Sequence, residues 1–299
     1  MINPARLPTF SYWLLGLIWG SNFIYMKWAT NVVSPSQTVL LRVFFGLLPI
    51  AVYAYQKKAF DRSHSKHFLH LLIMALVGTI AYYYGFARSA SMLQSSVVGG
   101  LSGLTPILTF LIALILLNDE STHPVRIAGI AIGFIGVLLI AQPQTNDLLN
   151  ASAMGTLYAV IGSVGVGASF VYAKKFILPL NIPTSALITY QLTLSLIILA
   201  VFTDLDGIQH LTTDYRALAG LVIGLGVLGT GIAYILYYHV VQKMGAVSAA
   251  SVAYLPPIVA VFIGVFIVGE EIDPLEYCAI ALVFIGLLLV NQRSGTPKT

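Results

Sequence analysis

Apolar positions run along this chain in long windows that follow one another with little between them. A bilayer-spanning helix needs roughly 20 mostly apolar residues. Windows that qualify are expected at 10–30, 36–55, 68–87, 93–117, 124–142, 153–173, 184–203, 216–238, 246–268 and 274–291. The pattern predicts an all-α membrane protein of about ten transmembrane helices, with no room for a soluble domain. The first run is too long for a secretory signal and lacks a small-x-small cleavage site, so it reads as a retained helix.

Composition agrees: 58% of the 299 residues are hydrophobic, 9% are charged and the mean hydropathy is +0.89, far outside the range of soluble domains. The net charge of +4 matters by position. With the N-terminus in the cytoplasm, the inside segments carry Arg6, Lys57, Lys58, Arg62, Lys66, Arg126, Lys174, Lys175, Lys243, Arg293 and Lys298, and the outside loops only Arg88 and Arg216. The positive-inside rule therefore predicts cytoplasmic termini. These charges flank spans and form no continuous face, which argues against nucleic acid as a partner.

The second half repeats the first. A shift of 147 aligns Gly20, Phe23, Tyr25 and Lys27 with Gly167, Phe170, Tyr172 and Lys174, and a shift of 148 sets Pro35 on Pro183. A shift of 150 sets Pro106 on Pro256, Glu120 on Glu270, Pro124 on Pro274 and "FIGVLLI" (134–140) on "FIGLLLV" (284–290). Five spans per copy is an odd number, so the copies, residues 1–145 and 146–299, enter the membrane from opposite sides. Two inverted five-helix repeats around a central cavity are a design for alternating access.

The stretches "TPILTFLIALILLNDESTHPVRIAGIAIGFIGVLLI" and "PPIVAVFIGVFIVGEEIDPLEYCAIALVFIGLLLV", with "WGSNFIYMKW" near the start and Arg42 in the second span, resemble the paired EamA domains of the drug/metabolite transporter superfamily. The resemblance covers nearly the whole chain. It implies ten helices, a central cavity and transport of small metabolites, often the export of amino acids from bacteria through the inner membrane.

No phosphate-binding loop and no Gly-Lys pair occurs, which disfavours ATP hydrolysis. All 11 carboxylates, Glu120 and Glu270 among them, fall in loops or at span edges, which disfavours an intramembrane proton relay. Exchange or facilitated diffusion along the substrate's own gradient is the simpler expectation. Lone Cys278 allows neither a disulfide nor a cysteine metal cluster. The histidines lack H-x-x-x-H spacing. No metal, no cofactor and no enzymatic activity is expected. The main alternative is a membrane-embedded transferase acting on a lipid or small metabolite, against which the lack of an aspartate-rich motif weighs. The expected partners are a small-molecule substrate and the lipid bilayer, with a homodimer left open.

Candidate substrate-binding residues follow from polar and aromatic positions within spans: Trp19, Asn22, Arg42, Tyr82, Tyr83, Ser95, Ser102, Ser163, Ser169, Tyr190, Tyr234, Ser251 and Tyr254. Aromatic walls with a few polar tips suit amphipathic solutes, and cationic residues without matching carboxylates point to substrates that are neutral or carry a carboxylate. Arg42, buried unpaired, would cost roughly 2.5–3.5 kcal/mol, so it is expected to meet water, a carbonyl or substrate. Pro106, Pro256 and Pro257 each remove a backbone donor inside a span and are candidate gates. Lys27 is expected to lift its ammonium to the headgroups, with a cavity-mouth position as the alternative. The G-x-x-x-G pairs, such as Gly16 with Gly20, are expected to let helices pack closely.

Overall fold

The computed structural model describes residues 7–117, 124–141, 151–244 and 252–290. These residues are almost wholly helical, and the described part of each expected apolar window falls on a helix or a chain of consecutive helical segments, residues 246–251 of the ninth window lying outside the described residues. They are α1 (Leu7–Thr30), α2 (Pro35–Gln56), α3 (68–92), α4 (Ser95–Leu116), α5 (Pro124–Ala141), α6 (151–177), α7 (Thr184–Phe202), α8 (215–244), α9 (252–268) and α10 (Pro274–Val290). Six helical stretches, those of α2, α3, α4, α6, α7 and α8, are long and apolar enough to cross a membrane, and shorter apolar helices lie at Ile127–Gly136, Leu255–Val268 and Pro274–Gly286.

The helix ends carry the polar chemistry that exposed backbone groups demand. Ser34 and Gln37 form a reciprocal capping box at the start of α2, with Pro35 in its first turn. Asp214 accepts from the amides of Arg216 and Ala217 to start α8. Connections cluster at two ends. The upper end carries residues 31–34, 93–94, 203–214 and 269–273, and Gln37 ties two of these loops together by donating to the carbonyls of Asp204 (2.9 Å) and Asp206 (2.8 Å). The lower end carries residues 57–67 and 178–183, where His64 meets the Tyr190 hydroxyl at 3.2 Å.

Small residues set the helix contacts. Gly16 and Gly20 of α1 admit Leu255 and Val259 of α9, and Gly220 and Gly224 of α8 admit Tyr25. The α5–α10 contact is reciprocal: a Cβ on Gly136 would lie 2.6 Å from the carbonyl oxygen of Ala279, and one on Gly286 2.5 Å from that of Gly129. Here backbone lies on backbone.

Four of the described helices widen into π-helical turns: Leu76–Ala81 in α3, Ala173–Ile177 in α6, Gly220–Ile232 in α8 and Ile263–Val268 in α9. In α8 the Thr230 hydroxyl turns back on the carbonyl of Leu225, five residues earlier, at 2.9 Å. Such turns mark departures from the ordinary ladder, often at functional positions. α4 breaks at Ser102–Gly103, between segments Ser95–Leu101 and Leu104–Leu116. Pro106 has no N–H for the Ser102 carbonyl, which accepts instead from the Thr105 amide at 3.0 Å.

Candidate functional site

A cavity opens in the middle of the bundle. Its walls come from α1 (Trp19, Phe23), α3 (Gly78, Tyr82, Phe86), α4 (Ser102, Thr105), α6 (Val166, Ser169, Phe170), α8 (Tyr234, Tyr237) and α9 (Ala253, Pro256). Its empty volume, counting space open to solvent, is about 720 Å³. The lining runs from mid-depth toward the lower end, where Phe170, Tyr237 and Ala253 lie. Aromatic faces form most of the wall, Trp19 packing against Tyr237 at 5.9 Å between ring centroids. Ser102 and Ser169 already donate to carbonyls one turn back, of Gly99 (2.6 Å) and Val166 (2.7 Å), leaving their oxygen lone pairs as acceptors.

Of the residues expected from sequence, Trp19, Tyr82, Ser102, Ser169, Tyr234 and Pro256 meet at this cavity. Phe23, Phe86, Thr105, Phe170 and Tyr237 also line it, although the sequence reading passed over them. The tyrosine and the phenylalanines carry no signal apart from position: they differ from lipid-facing aromatics only in the side of the helix they occupy. Ser251 and the side chain of Tyr254 lie outside the described residues. Pro257 is buried in α9 but is not part of the wall.

Asn22, Arg42 and Tyr83 sit behind the wall, in a polar seam where α1, α2 and α3 meet α8. Arg42 is 2% exposed, seven residues into α2 from its upper end, about 10 Å along the axis. Its guanidinium lies 3.8 Å from the centre of the Tyr83 ring. Nε donates to the Thr230 hydroxyl at 3.0 Å and Nη2 to the Gly229 carbonyl at 3.4 Å. The Asn22 carboxamide, its orientation assigned from its hydrogen-bonding neighbours, accepts from Nη2 at 3.2 Å and donates to the Ile18 carbonyl at 3.1 Å. Arg42 also interacts with Tyr82, which reaches the cavity. All these partners are neutral. The expected carbonyl contact is present, joined by hydroxyl, amide and π-face: dipoles spread around a charge.

A second seam crosses the bundle where α7 meets α3. Gln191 donates from Nε2 to the Thr79 hydroxyl at 2.8 Å, both residues being buried. Ser195 donates to the Gln191 carbonyl at 2.8 Å. Gly78 leaves room for Ser169 and the Gln191 amide, as Gly229 leaves room for Asn22. Tyr190, the sequence mate of Arg42, points to the lower end and packs on Phe60 and His64. Its neighbour Gln191 takes the place facing α3. Ser163 is fully buried on α6, with no hydrogen-bond partner for its hydroxyl among the described residues, and is not part of the cavity wall.

At the upper end the structure joins residues that the sequence had left as loop charges. Glu270 reaches the N-terminus of α4, where its Oε1 accepts from the amide (3.0 Å) and hydroxyl (2.6 Å) of Ser95. Its Oε2 accepts from the amide (2.9 Å) and hydroxyl (2.5 Å) of Ser96. Ser95 thus belongs to this contact and not to the cavity. Burial alone would push the Glu270 carboxyl up, but the Ser95 and Ser96 hydrogen bonds outweigh it and hold the group below its ordinary range. Gln94 donates to the Glu271 carbonyl at 2.7 Å. Lys27 donates to the Leu93 carbonyl at 2.9 Å, so its ammonium is held by protein instead of rising to headgroups: the end of α3 leaves that carbonyl within reach.

A bundle of apolar helices around an aromatic cavity, with buried polar seams beside it, defines a polytopic membrane protein built to hold a small solute. The chain belongs to the EamA-like transporter family, whose model matches it twice, over residues 10–142 and 153–292. It is 24% identical over 291 residues to the protein described as the uncharacterized inner membrane transporter YedA of Escherichia coli (strain K12), covering 95% of this chain and 91% of that one. It is 22% identical over 259 residues to an uncharacterized transporter of Archaeoglobus fulgidus, covering 86% and 88% of the two chains. A solved crystal structure superposes with a TM-score of 0.60 at 18% identity, covering 95% of each chain. That likeness concerns the fold.

Proposed function

We propose that the protein is a secondary transporter that exports amino acids or related small metabolites, aromatic amino acids foremost, across the cell membrane by alternating access. The observation that carries this reading is the cavity itself. Trp19, Phe23, Tyr82 and Phe86 come from residues 1–145, and Phe170, Tyr234, Tyr237 and Pro256 from residues 146–299. A wall shared by two halves changes shape when they move against each other.

The reading takes the halves as inverted five-helix repeats forming ten spans. The double family match supports it, as do the reciprocal α5–α10 glycine contacts and the pairing of Arg42 with Thr230 and of Gln191 with Thr79. Both termini are placed in the cytoplasm by the distribution of Lys and Arg. The lower end is then cytoplasmic, and a cavity extending toward it is the inward-facing state. Pro106 and Pro256 are assigned as gate residues, each on a cavity-lining helix.

Aromatic faces take the ring of a solute, while Ser102 and Ser169 offer oxygen acceptors to an ammonium. Arg42, ringed by neutral dipoles, is the counter-charge for a carboxylate once its seam opens. Counterflow of labelled phenylalanine, tyrosine or tryptophan in proteoliposomes tests the whole reading. Unlabelled substrate inside should accelerate uptake, and uptake should saturate. Flux without acceleration would indicate a channel, and chemically altered product a membrane-embedded transferase.

A further inference from the structure

The upper end is held shut by a contact of an unusual kind for a membrane bundle. Elsewhere the described helices meet through apolar side chains, glycines and the two buried polar seams, but here one carboxylate spans from the end of α9 to the start of α4. The backbone is shaped to deliver it. Gly269, at φ +76°, ends α9 in a left-handed turn, a conformation that strains any residue with a Cβ. The turn lets the Glu270 amide bond to the Gly264 carbonyl at 2.9 Å and sends the side chain back along the helix. Gly264 leaves the space: a Cβ there would meet both the Glu270 carboxylate and Ser96.

We propose that the Glu270 carboxylate is a releasable latch on the upper closure, binding Ser95 and Ser96 while the cavity faces the lower end and letting go each time it opens upward. The assignment rests on the alternating-access reading above. Ser95 and Ser96 are 1% and 0% exposed, so water reaches them only if α4 and α9 part there. On parting, water replaces the carboxylate at the two amides and hydroxyls, and the carboxylate takes up water in return. Bonds of one kind are exchanged for others of similar strength, so the open and closed forms lie close in free energy. Lys27 of α1 attracts Glu270 from a distance while bonded to Leu93, and the Gln94–Glu271 bond closes the other flank.

The test uses the full chain with Cys278→Ser, a reporter Ser102→Cys in the cavity, and a membrane-impermeant maleimide. Vesicle orientation is read from Asp206→Cys, placed in the exposed upper loop of a parallel sample. With the latch intact, Ser102→Cys should react mainly from the lower side. Glu270→Gln should raise reaction from the upper side about tenfold, the equivalent of one charge-assisted hydrogen bond, and Ser95→Ala with Ser96→Ala should raise it in the same direction. Oxidising the pair Ser95→Cys and Glu270→Cys to a disulfide should abolish upper-side reaction and counterflow, with both restored by reductant. Unchanged upper-side reaction in Glu270→Gln and in the double alanine variant, each inserted at normal levels, would overturn the latch while leaving alternating access standing. Equal reaction from both sides with the latch intact would overturn alternating access itself, and the latch with it.

Discussion

The two seams cross the bundle on a common plan but with different chemistry. In both, a threonine on a π-helical turn receives a buried donor from a neighbouring helix, and a glycine one residue earlier lets a polar side chain approach. The α2–α8 seam supplies a guanidinium, and the α7–α3 seam a neutral carboxamide. The neutral seam adjoins the cavity through Gly78 and Ser169, whereas Asn22, Arg42 and Thr230 lie outside its lining. The difference teaches that closeness to the present cavity and capacity to recognise a charge reside in different seams. A carrier whose halves exchange shapes would present them to solute in turn.

The largest effect is expected from Arg42→Gln, which makes the charged seam resemble the neutral one. Counterflow of a carboxylate-bearing solute should fall at least about tenfold, since one hydrogen bond to a charged group is worth about 1.5–3 kcal/mol. Arg42→Lys should fall between, keeping the charge but losing the flat fork that stacks on Tyr83. Unchanged counterflow in correctly inserted Arg42→Gln would leave the residue a packing role alone.

Next come the two threonines. Thr230→Val should lower unfolding stability in detergent by about 2 kcal/mol, because it strands a donor of a buried cation, and Thr79→Val by about 1 kcal/mol, because it strands a neutral amide. Equal losses would mean that the Arg42 charge is satisfied elsewhere.

The smallest effect is one of pH, and it separates the upper closure from both seams. The closed form holds Glu270 below its ordinary value of 4.5. Its ionised form therefore strengthens closure fully above that value, and the contribution is lost as pH falls through the lower closed-state value. Lys27 faces it from α1, Ser95 and Ser96 of α4 do not titrate in this range, and Glu271 and Asp273 of its own loop are exposed. The ratio of upper-side to lower-side reaction of Ser102→Cys, in which the loss of thiolate on acidification cancels, should stay flat from pH 7 to about 5 and rise only below that, and Glu270→Gln should show no such rise.

Much of the fold was legible because a bilayer demands continuous apolar length. The expected windows at 36–55 and 184–203 meet helices Pro35–Gln56 and Thr184–Phe202 almost residue for residue. Residues were harder to place around the helix axis. Arg42 stood out because charge is rare in a span, and Trp19 and Tyr82 because they mix ring and polar tip. Phe23 and Phe86 look in sequence like any lipid-facing phenylalanine. Glu270 was passed over for another reason: its position at a span edge is ordinary, and only the left-handed turn at Gly269 carries its carboxylate to Ser95 and Ser96. Tyr190 was preferred to Gln191 by a one-residue offset in the repeat, enough to rotate a helix position by about 100°.

The glycine contact between α5 and α10 bears on how any such movement is shared out. A side chain can swing into another rotamer when its neighbour shifts, but the main-chain oxygens of Gly129 and Ala279 cannot. If the halves move against each other as proposed, a joint of main chain on main chain is where the least repacking is open to them. A methyl group on either Gly136 or Gly286 would prise that joint apart while leaving every residue of the cavity wall in place.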